Sequence, residues 1–402
     1  MLAGRLDDSY TVEVRRALTP FTVAKVGANS AIRFAPPFIA TIGSGLGVRL
    51  ATIGGAIAVG ELAGLSAPLL IRFAGRFTRR TSICCGLLGI ALGAGVCATS
   101  RSAVQFAIGL ALMTMTKIVF DLGVIAWMTD RVTYARLGRA IGLTETAWAG
   151  GLFIGVVLMG LLTGVTSWRW GYVLAIVAIV VLAALLRQRL PDEPAVVRVV
   201  KAADHVKATL GAGWWVIIAT MALTASAQGL FVTFGTWLHD EFGFTDTQLA
   251  IVIFGLGAVE LIAASSTVRF IDHWGKQASV TLGAALIVPA GLGLAVLHGH
   301  LVGLALLALF IAGFEFSILA MLSLASSLVP NHPSTGLGLM VGAGTLGRAI
   351  MAPLATAAFS SQGMWLPAVM GSGCASLTVL CQWRYRLFRR RVGIPGSADL
   401  YT

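Results

Sequence analysis

Apolar residues run through this chain in long blocks, separated by short polar breaks that carry most of its charge. Blocks long enough to cross about 30 Å of hydrocarbon at about 1.5 Å per helical residue fall near 21–46, 48–71, 82–99, 103–128, 140–163 and 170–187. A second set falls near 214–237, 248–270, 279–297, 301–325, 335–359 and 365–383. The pattern predicts an all-α membrane protein of twelve transmembrane helices, numbered here span 1 to span 12, six on each side of the longest polar break. That break, Arg187 to Gly213, divides the chain into a first six-helix bundle at 1–189, a linker at 190–213 and a second bundle at 214–402. Val196, Val197, Val200, Ala203 and Val206 would form one face of a surface helix, and a linker resting on the headgroups is the simplest reading.

Composition agrees. The 402 residues are 57% hydrophobic and 11% charged, with mean hydropathy +0.87, a balance that excludes a water-soluble domain of this length. A formal charge of +12 would suggest nucleic acid in a soluble protein. Here the Lys and Arg sit in short loops beside apolar blocks, where they orient a membrane chain, so no nucleic-acid partner is expected. Cys84, Cys85, Cys97, Cys374 and Cys381 lie in or at the edge of apolar blocks and read as small core residues. The histidines, His205, His239, His273, His298, His300 and His332, fall in loops or at span ends with no metal-ligand spacing, and no P-loop is present. Neither metal, cofactor nor enzymatic chemistry is expected. The opening MLAGRLDDSYTVEVRRALT is too polar for a secretory signal, so the first span is expected to be retained.

Orientation follows from the cations. Twenty-two Lys and Arg fall on the side of the termini, among them Arg131, Arg136 and Arg139, and only Arg49, Arg101 and Arg169 fall on the other. The positive-inside rule then places both termini and the linker in the cytoplasm, as expected of a multi-pass protein of the plasma (inner) membrane. The halves also repeat. Arg72, Phe73, Thr78 and Arg79 align with Arg269, Phe270, Gly275 and Lys276 at an offset of 197, and Ile141-Gly142-Leu143 aligns with Leu337-Gly338-Leu339 at 196. Parallel six-helix repeats of this kind are one plan of secondary transporters, with substrate near the midplane between them.

Charges inside the spans are the candidate chemistry. Arg33, Glu61, Glu260, Glu315 and Arg348 fall near the bilayer centre, with Lys117 and Asp121 somewhat toward the cytoplasm. Each costs about 2.5–3.5 kcal/mol to insert at a helix centre, so each needs a partner or water. Lys117 and Asp121 can pair at i, i+4. In the second half, Glu260 and Glu315 share only Arg348, so one carboxylate has no evident cation and would spend part of its time protonated. Pro36 and Pro37 interrupt span 1 and either permit bending or set a static kink.

The whole chain resembles the major facilitator superfamily, and in particular its bacterial drug/proton antiporters. The superfamily signature between the second and third helices of each half, roughly G-x-x-x-D-R-x-G-R-R, is kept in part as Asp272-His273-Trp274-Gly275-Lys276. In the first half it is degraded to Ala74-Gly75-Arg76-Phe77-Thr78-Arg79-Arg80. Tyr134 to Gly142 with Glu145 and Trp148 is similar to the segment joining helices 4 and 5 of bacterial members. Two antiporter motifs are altered: Lys117 to Asp121 stands where Arg-x-x-Gln-Gly is usual, and Val156 stands where a glycine-proline motif has its proline.

The resemblance implies that spans 1, 4, 7 and 10 line a central cavity. It places Arg33, Lys117, Gln228 and Thr224 among cavity groups, although hydroxyls such as that of Thr224 also serve as packing glue. It makes Glu315 the first choice for a proton carrier and Asp121 the second, with Glu260 and Glu61 as further coupling candidates. The alternative for Glu315 is a carboxylate satisfied by neighbouring Ser or Thr. Glu260 and Arg348 would be a seam pair. Arg76, Arg79, Arg80, Arg136, Arg139, Asp272, Lys276 and Arg348 resemble a gating network, with Glu145 as a natural partner of such arginines, or else serve as topology signals alone. The implied function is export of small amphiphilic or hydrophobic compounds by proton antiport through alternating access, by a monomer whose partners are substrate, protons and lipid. Proton-coupled uptake of a sugar or organic ion is the alternative, and a non-transporting sensor or scaffold the third.

Overall fold

The computed structural model of the chain describes residues 10–67, 69–70, 77–191, 211, 213–325, 328 and 333–391, with the side chains of 134–135, 137–139, 268, 272, 333–335 and 389–391 excepted. The surface helix expected around Val196 to Val206, along with Gly75 and Arg76, lies outside these residues.

Every regular element among the described residues is helical. In chain order they are α1 (Val12–Arg33), α2 (Ile39–Leu46), α3 (Leu50–Ala63), α4 (Arg79–Ala98), α5 (Ala103–Thr129), α6 (Tyr134–Glu145), α7 (Ala147–Gly150), α8 (Val157–Val165) and α9 (Trp168–Arg189). After the linker come α10 (Gly213–Phe231), α11 (Phe234–Phe242), α12 (Asp246–Trp274), α13 (Lys276–Val296), α14 (His300–Ala325), α15 (Pro333–Gln362) and α16 (Trp365–Arg391). A π-helical segment, Gly151–Val156, joins α7 to α8. Local sequence sets several starts and stops. Thr11, Thr78 and Ser102 cap α1, α4 and α5 by accepting from Val14 N, Thr81 N and Gln105 N, which satisfies amides that a helix start leaves open. Pro36 and Pro37 have no amide hydrogen and bar helical geometry in the residue before them. Span 1 is accordingly two helices, α1 ending at Arg33 and α2 starting at Ile39.

Nine helices among the described residues are long and apolar enough to cross a membrane, or ten if the bent pair Ile39–Leu46 and Leu50–Ser66 is one span. The chain is thus a multi-pass, all-helical membrane protein. α1 is not among the nine, and its residues Arg16, Lys25 and Arg33 explain why.

Contacts group the chain into two compact units, one drawn from Met1–Val48, Val59–Ala202 and Phe244–Gly257, the other from Arg49–Ala58, Ala203–Gly243 and Ala258–Thr402. In the first unit, α4 lies so close to α5 that a Cβ on Gly86 would come within 2.6 Å of Phe120 N. Phe34, Phe38, Phe106, Trp168 and Tyr172 form one aromatic cluster of this unit. Phe254 in the early part of α12 stacks on Phe153 of the π segment, with ring centroids 4.3 Å apart. In the second unit, α13 and α14 approach in the same way. A Cβ on Gly283 would lie 2.6 Å from Gly313 O and 2.9 Å from Ser317 N. The two crossings correspond at the offset found in the loops, since 283 − 86 and 317 − 120 both equal 197. Small residues at these points let backbones touch where lipid offers no hydrophobic drive for helix association.

Candidate functional site

Four charged side chains meet inside the first unit. Lys25 on α1 places Nζ 2.5 Å from Glu145 Oε1 and 3.6 Å from Asp121 Oδ1. Lys117 Nζ bonds the other oxygen of Asp121, one helical turn along α5. Only 3% of the Lys25 side chain is exposed, against 52% for Glu145. A lysine this deep is held by geometry, because its ammonium has lost its water and needs carboxylates in exchange. Two cations face two acids, so the cluster is neutral as a whole.

The same face of α1 continues the contact. Lys25, Asn29 and Arg33 are spaced four residues apart and so project from one side of the helix. Asn29 Nδ2 donates to Ala147 O at 3.0 Å and Arg33 Nη1 to Trp148 O at 2.9 Å. Ser30 Oγ donates to Gly151 O at 3.2 Å. These carbonyls lie just ahead of or at the start of the π segment; a carbonyl has two lone pairs, so it can take a donor from α1 beside its own helix bond, as Ala147 O does with Gly151 N. The Arg33 guanidinium also stands 4.5 Å from the Trp148 ring centroid. The wide turn falls where the superfamily motif would place its proline, at Val156.

The structure therefore brings Lys117, Asp121 and Glu145 together. It adds Lys25, which the sequence reading omitted although it stands four residues inside span 1. The stripe of Lys25, Asn29 and Arg33 at i, i+4 and i+8 was the available signal. Glu145, expected beside the arginines of the basic loop, pairs with Lys25.

Other candidates lie elsewhere. Glu315 on α14 and Glu260 on α12 are buried, and Glu61 on α3 is half-buried. The Thr224 hydroxyl on α10 donates to Thr220 O at 2.9 Å and to Gly344 O at 3.0 Å. Gln228 is buried with no partner for its Nε2 among the described residues. Arg79 pairs with Asp130 at 2.9 Å. Arg80 is half-buried at the start of α4 and Arg136 is exposed on α6. Tyr10 Oη donates to Arg136 O at 3.1 Å, and Arg131 pairs with Glu13 at 3.0 Å. Lys276 donates to Ser323 O at 3.2 Å, and half-buried Arg348 lies 3.4 Å from the Thr345 hydroxyl. The side chains of Arg139 and Asp272 are outside the described residues.

Apolar crossing helices that bury titratable groups define a multi-pass protein of the membrane-transporter kind. The profile of the Major Facilitator Superfamily matches residues 24–352, and the chain belongs to that family. A curated relative, the uncharacterised transporter YwfA of Bacillus subtilis (strain 168), is 32% identical over 108 residues. That match spans 27% of this chain and 26% of the relative. Among solved structures, a bacterial homologue of the human lysosomal transporter Spinster, in an inward-facing conformation, superposes with TM-score 0.78 at 12% identity, over 94% of this chain and 98% of that one. The xylose transporter XylE from E. coli does so at 0.71 and 13%, over 95% and 97%. Likeness at these identities is a likeness of fold. The family and fold are those of transporters and not of enzymes.

Proposed function

We propose that the chain is a proton-coupled secondary transporter working by alternating access in the plasma (inner) membrane, as a monomer with both termini cytoplasmic and two six-helix halves. The observation that carries this reading is the neutral cluster of Lys25, Lys117, Asp121 and Glu145, in which two acids and two bases meet around a buried lysine, with Lys117 and Asp121 part-buried and Glu145 half exposed. Intramembrane charge is retained against a cost of a few kcal/mol per group, which is a reason to look for ion coupling there. Glu315 and Glu260, buried on α14 and α12, are proposed as further proton-accepting groups. The arginines of the loops, with Lys276, are proposed as gating contacts.

Two directions of coupling are open to such a protein. Export of an amphiphilic or hydrophobic compound by antiport is carried by the family resemblance. Uptake of an organic ion together with a proton is carried by the cluster, and we take it as the conclusion. Both acids there already hold lysines, so a proton arriving on one of them leaves a surplus positive charge that a co-transported ion can balance. Proteoliposomes with an imposed pH gradient decide between the two, using a compound found by thermal-shift screening. Substrate and protons entering together support uptake. If substrate entry drives protons outward, export by exchange replaces this reading.

A further inference from the structure

We infer that the substrate is an organic monoanion, such as a carboxylate, whose charged group is received by Lys117 when Asp121 is protonated. The inference rests on the proton-coupled reading and deepens it by naming the ligand class.

The argument is one of charge and reach. Among the described residues, the charged groups paired around Asp121 are Lys117 on its own helix, Lys25 from α1 and, through Lys25, Glu145 from α6. The sum is zero, and in a poorly solvated site occupants that preserve zero are favoured. An anion alone makes it negative and a proton alone makes it positive, whereas the two together restore neutrality. A cationic substrate would need a lysine to leave a carboxylate. Lys25 cannot easily do so, being 3% exposed and held by both acids. Lys117 differs. Its side chain is 18% exposed, and Asp121 is its one acid partner among the described residues. A flexible four-carbon stem lets its ammonium turn to a new acceptor, with three donors to offer. Protonating Asp121 removes its negative charge and leaves Lys25 still bound to Glu145. Lys117 is then the cation without a counter-charge, and an anionic headgroup supplies one. Binding linkage is reciprocal, so the proton raises affinity for the anion as much as the anion raises affinity for the proton.

The test uses the purified full chain in lipid nanodiscs and a panel of aliphatic and aromatic monocarboxylates, each with its matched primary amide and primary amine. Binding is read by thermal shift and calorimetry, and proton uptake by the dependence of the calorimetric heat on buffer ionisation. At least one carboxylate is expected to bind, about tenfold tighter for each unit of falling pH in the coupled range, with close to one proton taken up. Asp121→Asn, which mimics the protonated acid, should bind that carboxylate with little pH dependence, and Lys117→Gln should lose it. Elution profiles and unfolding curves show that each variant folds, and Asp121→Asn gives a gain at alkaline pH that a merely damaged protein cannot. Amines binding with proton release, or a panel in which no carboxylate binds, would overturn the inference. A carboxylate that binds with no proton uptake at any pH refutes the proton-coupled reading itself. Amides binding with proton uptake leave that reading standing and refute only the anion.

Discussion

Replacing Lys25 by Met keeps the length of the side chain and removes the charge, and it tests whether the ion-pair cluster holds the first unit together. Removing one partner of a buried pair costs about 3–5 kcal/mol when the other charge is stranded. Here the stranding is partial. Asp121 keeps Lys117, and Glu145 has 52% of its side chain exposed, so its carboxylate recovers much of its hydration and the effect must be discounted for solvent screening. About 2 kcal/mol of destabilisation is the expectation, with the apolar stem of Met still filling the volume of the lysine stem. Glu145→Gln alone should cost less, about 1 kcal/mol, because the lysine retains Asp121. The double variant should be better than the sum of the two by about 1 kcal/mol, the size of coupling seen between contacting residues. Reversible unfolding in mixed micelles, run on the four proteins as a cycle, measures that coupling. Additive losses, or a Lys25→Met variant as stable as the parent, would show that the short Lys25–Glu145 contact contributes nothing and that the cluster reading is mistaken.

Three further outcomes follow from single contacts. A methyl group on Gly155 would overlap the Ser30 side chain, so Gly155→Ala should lower the unfolding midpoint, and adding Ser30→Gly should recover part of the loss; no recovery would place the strain elsewhere. Gly275 precedes α13 with φ 78° and ψ 148°, a conformation essentially reserved for glycine, so Gly275→Ala should cost about 1–3 kcal/mol, and unchanged stability in the same unfolding assay would argue against that backbone. Arg79 and Asp130 are 2.9 Å apart, and reversing each charge alone should reduce transport or stability, whereas the Arg79→Asp, Asp130→Arg swap should restore much of it if the pair itself matters.

Much of the helical frame was legible because apolar blocks of helical length admit few alternatives inside a bilayer. The π segment was legible only as a place where a proline was missing, since Gly150, Gly151 and Gly155 mark a close approach to α1 without showing that the helix widens there. The Lys117–Asp121 pair could be read from spacing, being local to one helix. Lys25 with Glu145 could not, because 120 residues separate them and their meeting depends on how α1 packs on α6. The same reason hid Asp130 as the partner of Arg79, 51 residues away. The hydroxyls of span 7 show the opposite limit. Thr224 and Gln228 look alike in the sequence as neutral polar groups, and only packing separates a hydroxyl bonded to Gly344 O from an amide nitrogen with no partner among the described residues.

The cluster and the π segment are one piece of construction. Lys25, Asn29, Ser30 and Arg33 bond, in that order along α1, to Glu145, Ala147 O, Gly151 O and Trp148 O. The last three are second bonds to carbonyls that can also serve their own helix, as Ala147 O does with Gly151 N, and they join α1 to the start of the π segment. The contacts tie the start of the π segment to the same helix face that carries the buried lysine, so a change in charge at Asp121 acts on a side chain whose neighbours, one and two turns along, bond the carbonyls just ahead of that segment.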